Sequence, residues 1–334
     1  MASKNRGAQW IARFWTVLAA MMAILLATTP VSAADKNKPQ EITILTGSDP
    51  YYLLIYVAAE NGYFRQEGLK VKQRMFPSGT DAMLAFRGIN AEFVASGDAP
   101  SLVLWNGGDS VGVAPIYASP NNLEGVVRSD IKSAADLRGK KIAVKQGSTA
   151  DYFLATYLDK NGLKPGDVHI INLSPPECVP ALSSGDIDGF FLWQPYPNLA
   201  MKVMGDKAHV LTTARGYYLE QIYLTANRKF AEANPAVVRK VIVALKRALA
   251  FVAKQPEKSA EIVARKIKAQ PSLVMAMIKA DPYTLTYGPE NRDQLEKLIA
   301  FLQQNGKIKQ PIDLKAAFDP KYLEAADKSL VVSR

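Results

Sequence analysis

Cysteine and histidine are almost missing from this chain: 334 residues contain one Cys, Cys178, and two His, His169 and His209. A single cysteine excludes an intrachain disulfide, so the fold must be held by its core. So few soft ligands also leave no Cys/His metal spacing to write. No phosphate loop, nucleophile elbow or triad spacing occurs elsewhere, and neither a cofactor nor a metal is expected. Cys178 stands among Pro175, Pro176 and Pro180 and reads as a small buried filler. The competing reading, a catalytic thiol, needs His169 or His209 beside it, and nothing in the sequence puts either there. The chain also lacks a basic stripe interleaved with aromatics. Its net charge of +10 comes from scattered Lys and Arg, which argues for a solvated surface, against nucleic acid, and for easy approach of anions.

Long apolar runs are scarce too. The clearest spans residues 14–26, follows Lys4, Arg6 and Arg13, and leads to Val31, Ser32 and Ala33. It is short for a membrane anchor, the competing reading, and has the flanks of a secretory signal peptide over residues 1–33, cut after Ala33 or Ala34. No cysteine stands at that point, so a lipoprotein is excluded and the expected address is the periplasm of a double-membraned bacterium. Removal leaves a charge of +7 and about 300 residues, enough for two lobes with separate cores.

What is present is a pattern used twice. Residues 78–100 and 174–195 each read as a Ser-initiated helix, a Gly, an acidic step, an apolar strand and a Pro. Either one lobe is duplicated around a cleft, or these are two ordinary helix–strand units; the pattern alone leaves both open. Strands are expected at residues 42–45, 71–76, 93–95, 111–118, 124–127, 142–144, 168–173, 189–192 and 221–225, alternating with helices, which predicts an α/β fold with mostly parallel sheets. Everything beyond Asn227 is expected to be helical packing, with Pro235, Pro256 and Pro271 each opening a helix.

Tyr63-Phe64 with Glu67-Gly68-Leu69, the Pro77-Ser78-Gly79 turn, Leu137-Arg138-Gly139-Lys140-Lys141-Ile142-Ala143-Val144, Asn172-Leu173-Ser174-Pro175, Gly185-Asp186-Ile187-Asp188 with Trp193 and Pro195, and Ala226-Asn227-Arg228-Lys229-Phe230 carry a resemblance. Their order and spacing resemble the periplasmic substrate-binding proteins of ABC importers for taurine, alkanesulfonates and nitrate. The resemblance implies a type II periplasmic binding protein, with two α/β lobes joined by two crossing strands near residues 124–129 and 222–227. Lobe one takes residues 40–123 and 226–334, and lobe two takes residues 124–225. It also implies a monomer that binds a small anionic solute, such as an alkanesulfonate or taurine, and hands it to a transmembrane permease.

In open α/β sheets ligands bind where strands hand over to helices. Four such turns stand out: Gly47-Ser48-Asp49, Ser78-Gly79-Thr80, Gly97-Asp98-Ala99 and Gly147-Ser148-Thr149. Their helix N-termini offer free N–H groups and a positive dipole end, so a sulfonate could be held without a buried lysine. Each end contributes about 0.3–2 kcal/mol, whereas micromolar affinity needs about 8 kcal/mol. Apolar walls must therefore assist, and Tyr51, Tyr52, Trp193 and Tyr196 are the candidates. The expected ligand-binding set is Ser48, Asp49, Tyr52, Ser78, Gly79, Thr80, Asp98, Ser119, Gly147, Ser148, Thr149, Trp193 and Gln194. Each hydroxyl has a plainer reading as a helix cap, and Asp98 is either a cap or the partner of a ligand ammonium. Trp193 is a pocket wall or plain core. A neutral Gln194 points to hydrogen bonding instead of cation capture and puts taurine itself in question. The enzymatic rival, the thiamin-pyrimidine synthases of the same fold, carries a cysteine-rich run and consumes a histidine, which this composition opposes. A thiamin-precursor pyrimidine stacked on Trp193 or Tyr52 is the runner-up ligand, and a sensor lobe reporting to a separate membrane protein is the third class.

Overall fold

Two five-stranded sheets of matching plan make up the computed structural model, which describes residues 39–280 and 283–332. The expected signal peptide lies outside these residues. Strands β1 (Gln40–Gly47), β2 (Leu69–Phe76), β3 (Phe93–Gly97) and β4 (Ser110–Ser119) come first in the chain, followed by β5 (Leu123–Arg128), β6 (Lys141–Val144), β7 (His169–Asn172), β8 (Gly189–Trp193), β9 (Ala208–Thr213) and β10 (Glu220–Asn227). The first sheet has the order β2-β1-β3-β10-β4 and the second β7-β6-β8-β5-β9. In the first, β1 pairs parallel with β2 and β3, while β10 runs antiparallel to β3 and β4. In the second, β6 pairs parallel with β7 and β8, while β5 runs antiparallel to β8 and β9.

The two repeated segments fill the same slot. Residues 78–100 supply the helix Gly79–Phe86, then β3, and residues 174–195 supply the helix Pro175–Ser184, then β8. Both strands are buried at all five positions, as central strands covered on both faces require. Ser78, in extended conformation, accepts the Asp81 N–H and starts the first helix; Gly185, at φ 87°, ends the second in the left-handed region that glycine tolerates.

The strands expected to cross between lobes, at residues 124–129 and 222–227, prove to be β5 and β10, each lying wholly inside one sheet. The chain passes between the sheets just before them, at residues 120–122 and 214–219. Residues 220–225, assigned by sequence to lobe two, therefore belong to the first sheet. An apolar run identifies a strand but not the sheet it joins. Beyond Asn227 the chain is mainly helical, and Pro235, Pro256 and Pro271 are each the first residue of a helix. The exceptions are two isolated bridges, Gly112 with Phe318 and Tyr287 with Val331. The helix Pro235–Lys254 packs Val238, Ile242 and Leu245 inward with no exposure.

Candidate functional site

Because β10 and β5 run against their neighbours, their first residues arrive where the parallel strands end. Glu220 lies opposite Ser119 at the end of β4, Ile222 lies opposite Gly97 at the end of β3, and Leu123 lies opposite Trp193 at the end of β8. A cavity opens along this edge, walled by both sheets and enclosing about 20 Å³. That is room for about one water-sized group. To admit a solute, the two walls must part.

Seven of the expected residues line it: Asp49, Tyr52, Gly79, Thr80, Ser148, Thr149 and Trp193. Gly79 and Thr80 open the helix Gly79–Phe86, so their N–H groups lie in the first turn, ahead of any helical carbonyl. A Cβ at Gly79 would fall on the Tyr52 hydroxyl and crowd the Ser96 backbone, so any side chain there requires Tyr52 to move. Tyr51 and Trp193 are 2% and 5% exposed, yet the Tyr51 Oη and Trp193 Nε1 have no protein partner. A buried donor without a partner is destabilising by about 1–3 kcal/mol, and both of these belong to residues that line the cavity.

Six expected residues do not line the cavity. Ser78 caps Asp81 and donates to its carboxylate at 2.6 Å. Asp98 accepts from Tyr218 Oη and from the N–H groups of Ala99 and Gln221, which occupies its carboxylate with the fold. Ser119 accepts the Asn121 N–H at 2.8 Å. Gly147, at φ 76°, donates its N–H to Asp151. Gln194 donates to Glu124 at 3.0 Å and accepts the Asn198 N–H. Ser48 is half-buried and stands outside the lining. For Ser78, Ser119 and Gly147 a partner within four residues claims the polar group, the plainer reading of a capping residue, while Asp98 and Gln194 are held mainly by partners distant in sequence. Tyr196 is also absent from the lining.

The residue that sequence reasoning missed is Glu220. It is 2% exposed, accepts from Thr149 Oγ1 at 2.5 Å, and also receives Asn122 Nδ2. Thr149 opens a helix of the second sheet, so this hydrogen bond joins the two walls. The only signal was an acidic residue directly before the apolar run 221–225, and its meaning depends on β10 being antiparallel. A second link across the walls runs from Lys145 Nζ to Asp81 at 2.7 Å.

The cavity is acidic, with Asp49 and Glu220 in its lining and neither Lys nor Arg. Burial, reinforced by the charge of Glu220, pushes the Asp49 carboxyl well above its ordinary range. Burial also pushes Asp98 up, against the pull of the Tyr218 hydroxyl. The Tyr51 and Tyr52 phenols are raised by burial and remain protonated donors. The arrangement thus offers neutral donors on one side and acidic groups on the other, with Asp49 favoured in its protonated form until a positive charge comes beside it. Cys178 is buried, its thiol pushed up to about 12 by desolvation, and lies outside the lining. Among the described residues no cluster of metal-ligating side chains occurs and no helix is long and apolar enough to cross a membrane.

Known proteins share this plan. The chain is 28% identical over 270 residues to the taurine-binding periplasmic protein of Escherichia coli K12, covering 75% of this chain and 82% of that protein. It is 25% identical over 286 residues to a putative aliphatic sulfonates-binding protein of the same organism, covering 85% and 87%. The solved structure of the alkanesulfonate-binding protein SsuA from Xanthomonas axonopodis pv. citri, bound to MOPS, superposes with a TM-score of 0.74 at 21% identity, covering 84% of this chain and 98% of that one. The fold is therefore that of the SsuA-type periplasmic binding proteins. The NMT1/THI5 like family matches residues 49–259, and with that match the chain belongs to this family.

Proposed function

We propose that this chain is an exported solute-binding protein that captures a small organic sulfonate and delivers it to the permease of an ABC importer. It acts as a monomer without catalysis, after loss of residues 1–33. The observation that carries the reading is the pairing, in one cavity, of the unpartnered Tyr51 Oη and Trp193 Nε1 with the first-turn N–H groups of Gly79 and Thr80. Together they present donors to the oxygens of an anion without supplying a cation. The relatives named above, a taurine binder and a sulfonate binder, support the same solute class.

Asp49 and Glu220 narrow the class. The Glu220 carboxylate, and Asp49 once it ionises, repel a bound sulfonate unless the solute carries its own positive charge within their reach. A zwitterion satisfies both sides, so aminosulfonates of the taurine type fit better than plain alkanesulfonates. Gln194, which pointed away from taurine in the sequence, hydrogen-bonds to Glu124 and leaves cation capture to the acidic pair.

Melting of the processed protein with taurine, ethanesulfonate, sulfate, nitrate or an aminopyrimidine tests this. Taurine at a hundred times its Kd adds about 2.7 kcal/mol and gives the largest upward shift. A shift with the aminopyrimidine alone, or with none of these solutes, refutes the sulfonate reading.

A further inference from the structure

The two segments that carry the chain between the sheets, residues 120–122 and 214–219, are tied to each other by side chains. Arg215, near the start of the second, donates to Asn121 Oδ1 at 2.6 Å on the surface. Asn122, the last residue of the first, donates through Nδ2 to Oε2 of Glu220, which directly follows the second. Asn122 is 3% exposed, and its Oδ1 has no hydrogen-bond partner among the described residues. An orphaned buried acceptor destabilises a fold, and leucine, of nearly the same shape, would carry none. The backbone does not require the amide either, since the Asn122 carbonyl accepts the Gln194 N–H, a bond open to any residue. What the side chain supplies is one donor, aimed at a carboxylate in the cavity wall.

Resting on the reading of Glu220 as a group that meets the solute's positive charge, we propose that Asn122 is a positioning residue: it holds the Glu220 carboxylate in place before the solute arrives. The last torsion of a glutamate is broad, so a single contact leaves the carboxylate plane able to turn. Glu220 is gripped at both oxygens, Oε1 by Thr149 and Oε2 by Asn122. The two grips differ in kind. Thr149 belongs to the opposite wall and moves off when the walls part to admit a solute. Asn122 and Glu220 stand at the crossing itself, where a rotation of one wall against the other displaces atoms least, so their bond outlasts the opening. A carboxylate kept aimed in the open protein needs less ordering on binding, which favours solutes that carry a cation and does nothing for those that do not.

Calorimetric titration of the full processed protein with taurine and ethanesulfonate tests the proposal, since the two solutes differ by the ammonium. Asn122→Leu is expected to weaken taurine roughly fivefold or more, the coupling usual within one hydrogen-bond network, and to leave ethanesulfonate within about twofold. In a Glu220→Gln background the same substitution should change taurine affinity by less than about twofold, because the group it positions is already gone. Arg215→Met, which breaks the other side-chain tie between the crossing segments, should leave the ratio of the two affinities as it is. Melting curves confirm that the variants fold, and Asn122→Ala serves if the leucine is not accommodated. Equal losses for both solutes, an undiminished loss in the Glu220→Gln background, or the same change of ratio in Arg215→Met would each overturn the proposal, since a merely structural role predicts those results. If the native protein binds neither solute, the fault lies in the sulfonate reading, and the positioning role falls with it.

Discussion

Gly97, at the end of β3, lies against Thr149 of the opposite wall. A Cβ placed on Gly97 falls inside 3.0 Å of the Thr149 Cγ2, a separation real Cβ atoms essentially never show. Gly97 itself has φ −59° and ψ 161°, a backbone conformation alanine adopts freely. Gly97→Ala is therefore compatible with the strand and turn, and removing glycine from the unfolded chain stabilises the fold by about 0.4–1 kcal/mol. The penalty falls only on the state in which the walls meet. Inserting a methyl group into a filled contact is destabilising by about 1–3 kcal/mol, which weakens solute binding about 5- to 150-fold. Thr149→Ser removes the clashing methyl group. The remaining Cβ and Oγ1 stand at 3.6 Å, an ordinary contact, and the hydroxyl can still donate to Glu220. Calorimetric titration of the native chain, the two single variants and the double variant with taurine should show loss in Gly97→Ala and recovery in the double variant, with melting temperatures of the free proteins unchanged or raised. Native affinity in Gly97→Ala would refute the reasoning, because the wall-to-wall contact would then not belong to the bound state. So would an equal loss in the Thr149→Ser background.

Glu220→Gln should weaken taurine binding by roughly thirtyfold or more, the consequence of removing one partner of a buried charge pair, while ethanesulfonate binds as well or better; equal losses for both solutes would deny the carboxylate a part in cation capture. Trp193→Phe keeps an aromatic face and removes the Nε1 donor, so titration should show taurine affinity reduced about tenfold or more, the value of a hydrogen bond to a charged group. The raised Asp49 and Asp98 carboxyls contribute stability that is present in full below their ordinary 3.8 and is lost as pH rises through the elevated folded values. The melting temperature of the solute-free protein should therefore carry a falling component from mild acid toward neutral. Taurine should shrink that fall, because its ammonium favours ionised Asp49, and its affinity should rise over the same interval. Lys145→Met removes the pair with Asp81, whose side chains are 15% and 23% exposed, and should weaken binding a few-fold, with native and variant proteins converging at high salt.

Composition and local pattern carried the fold a long way. The alternation of apolar runs with capped helices required an α/β protein, Ser78 and Gly185 announced the helix ends they form, and the turns after β1, the helix-opening Ser78 turn and the Ser148 turn pointed at the cavity. These features were legible because caps, breakers and strand ends are set within a few residues of chain. Capping also misled. Ser78, Asp98 and Gly147 have the residue types of ligand-binding groups, but Ser78 and Gly147 are claimed within a few residues by Asp81 and Asp151, and Asp98 is claimed by the Tyr218–Gln221 segment, which only the folded chain brings to it.

By itself the sequence determined the fold class, the poverty in metal ligands and thiols, and the strand-end turns that border the cavity. Tertiary structure alone decided which groups line that cavity. The reason is strand direction. Glu220 enters the site because β10 runs antiparallel between β3 and β4, Tyr51 and Trp193 become unpartnered donors because the two sheets close over them, and Gly97 meets Thr149 across that closure. None of these relations is encoded in nearest neighbours along the chain, since each joins residues that only long-range pairing brings together.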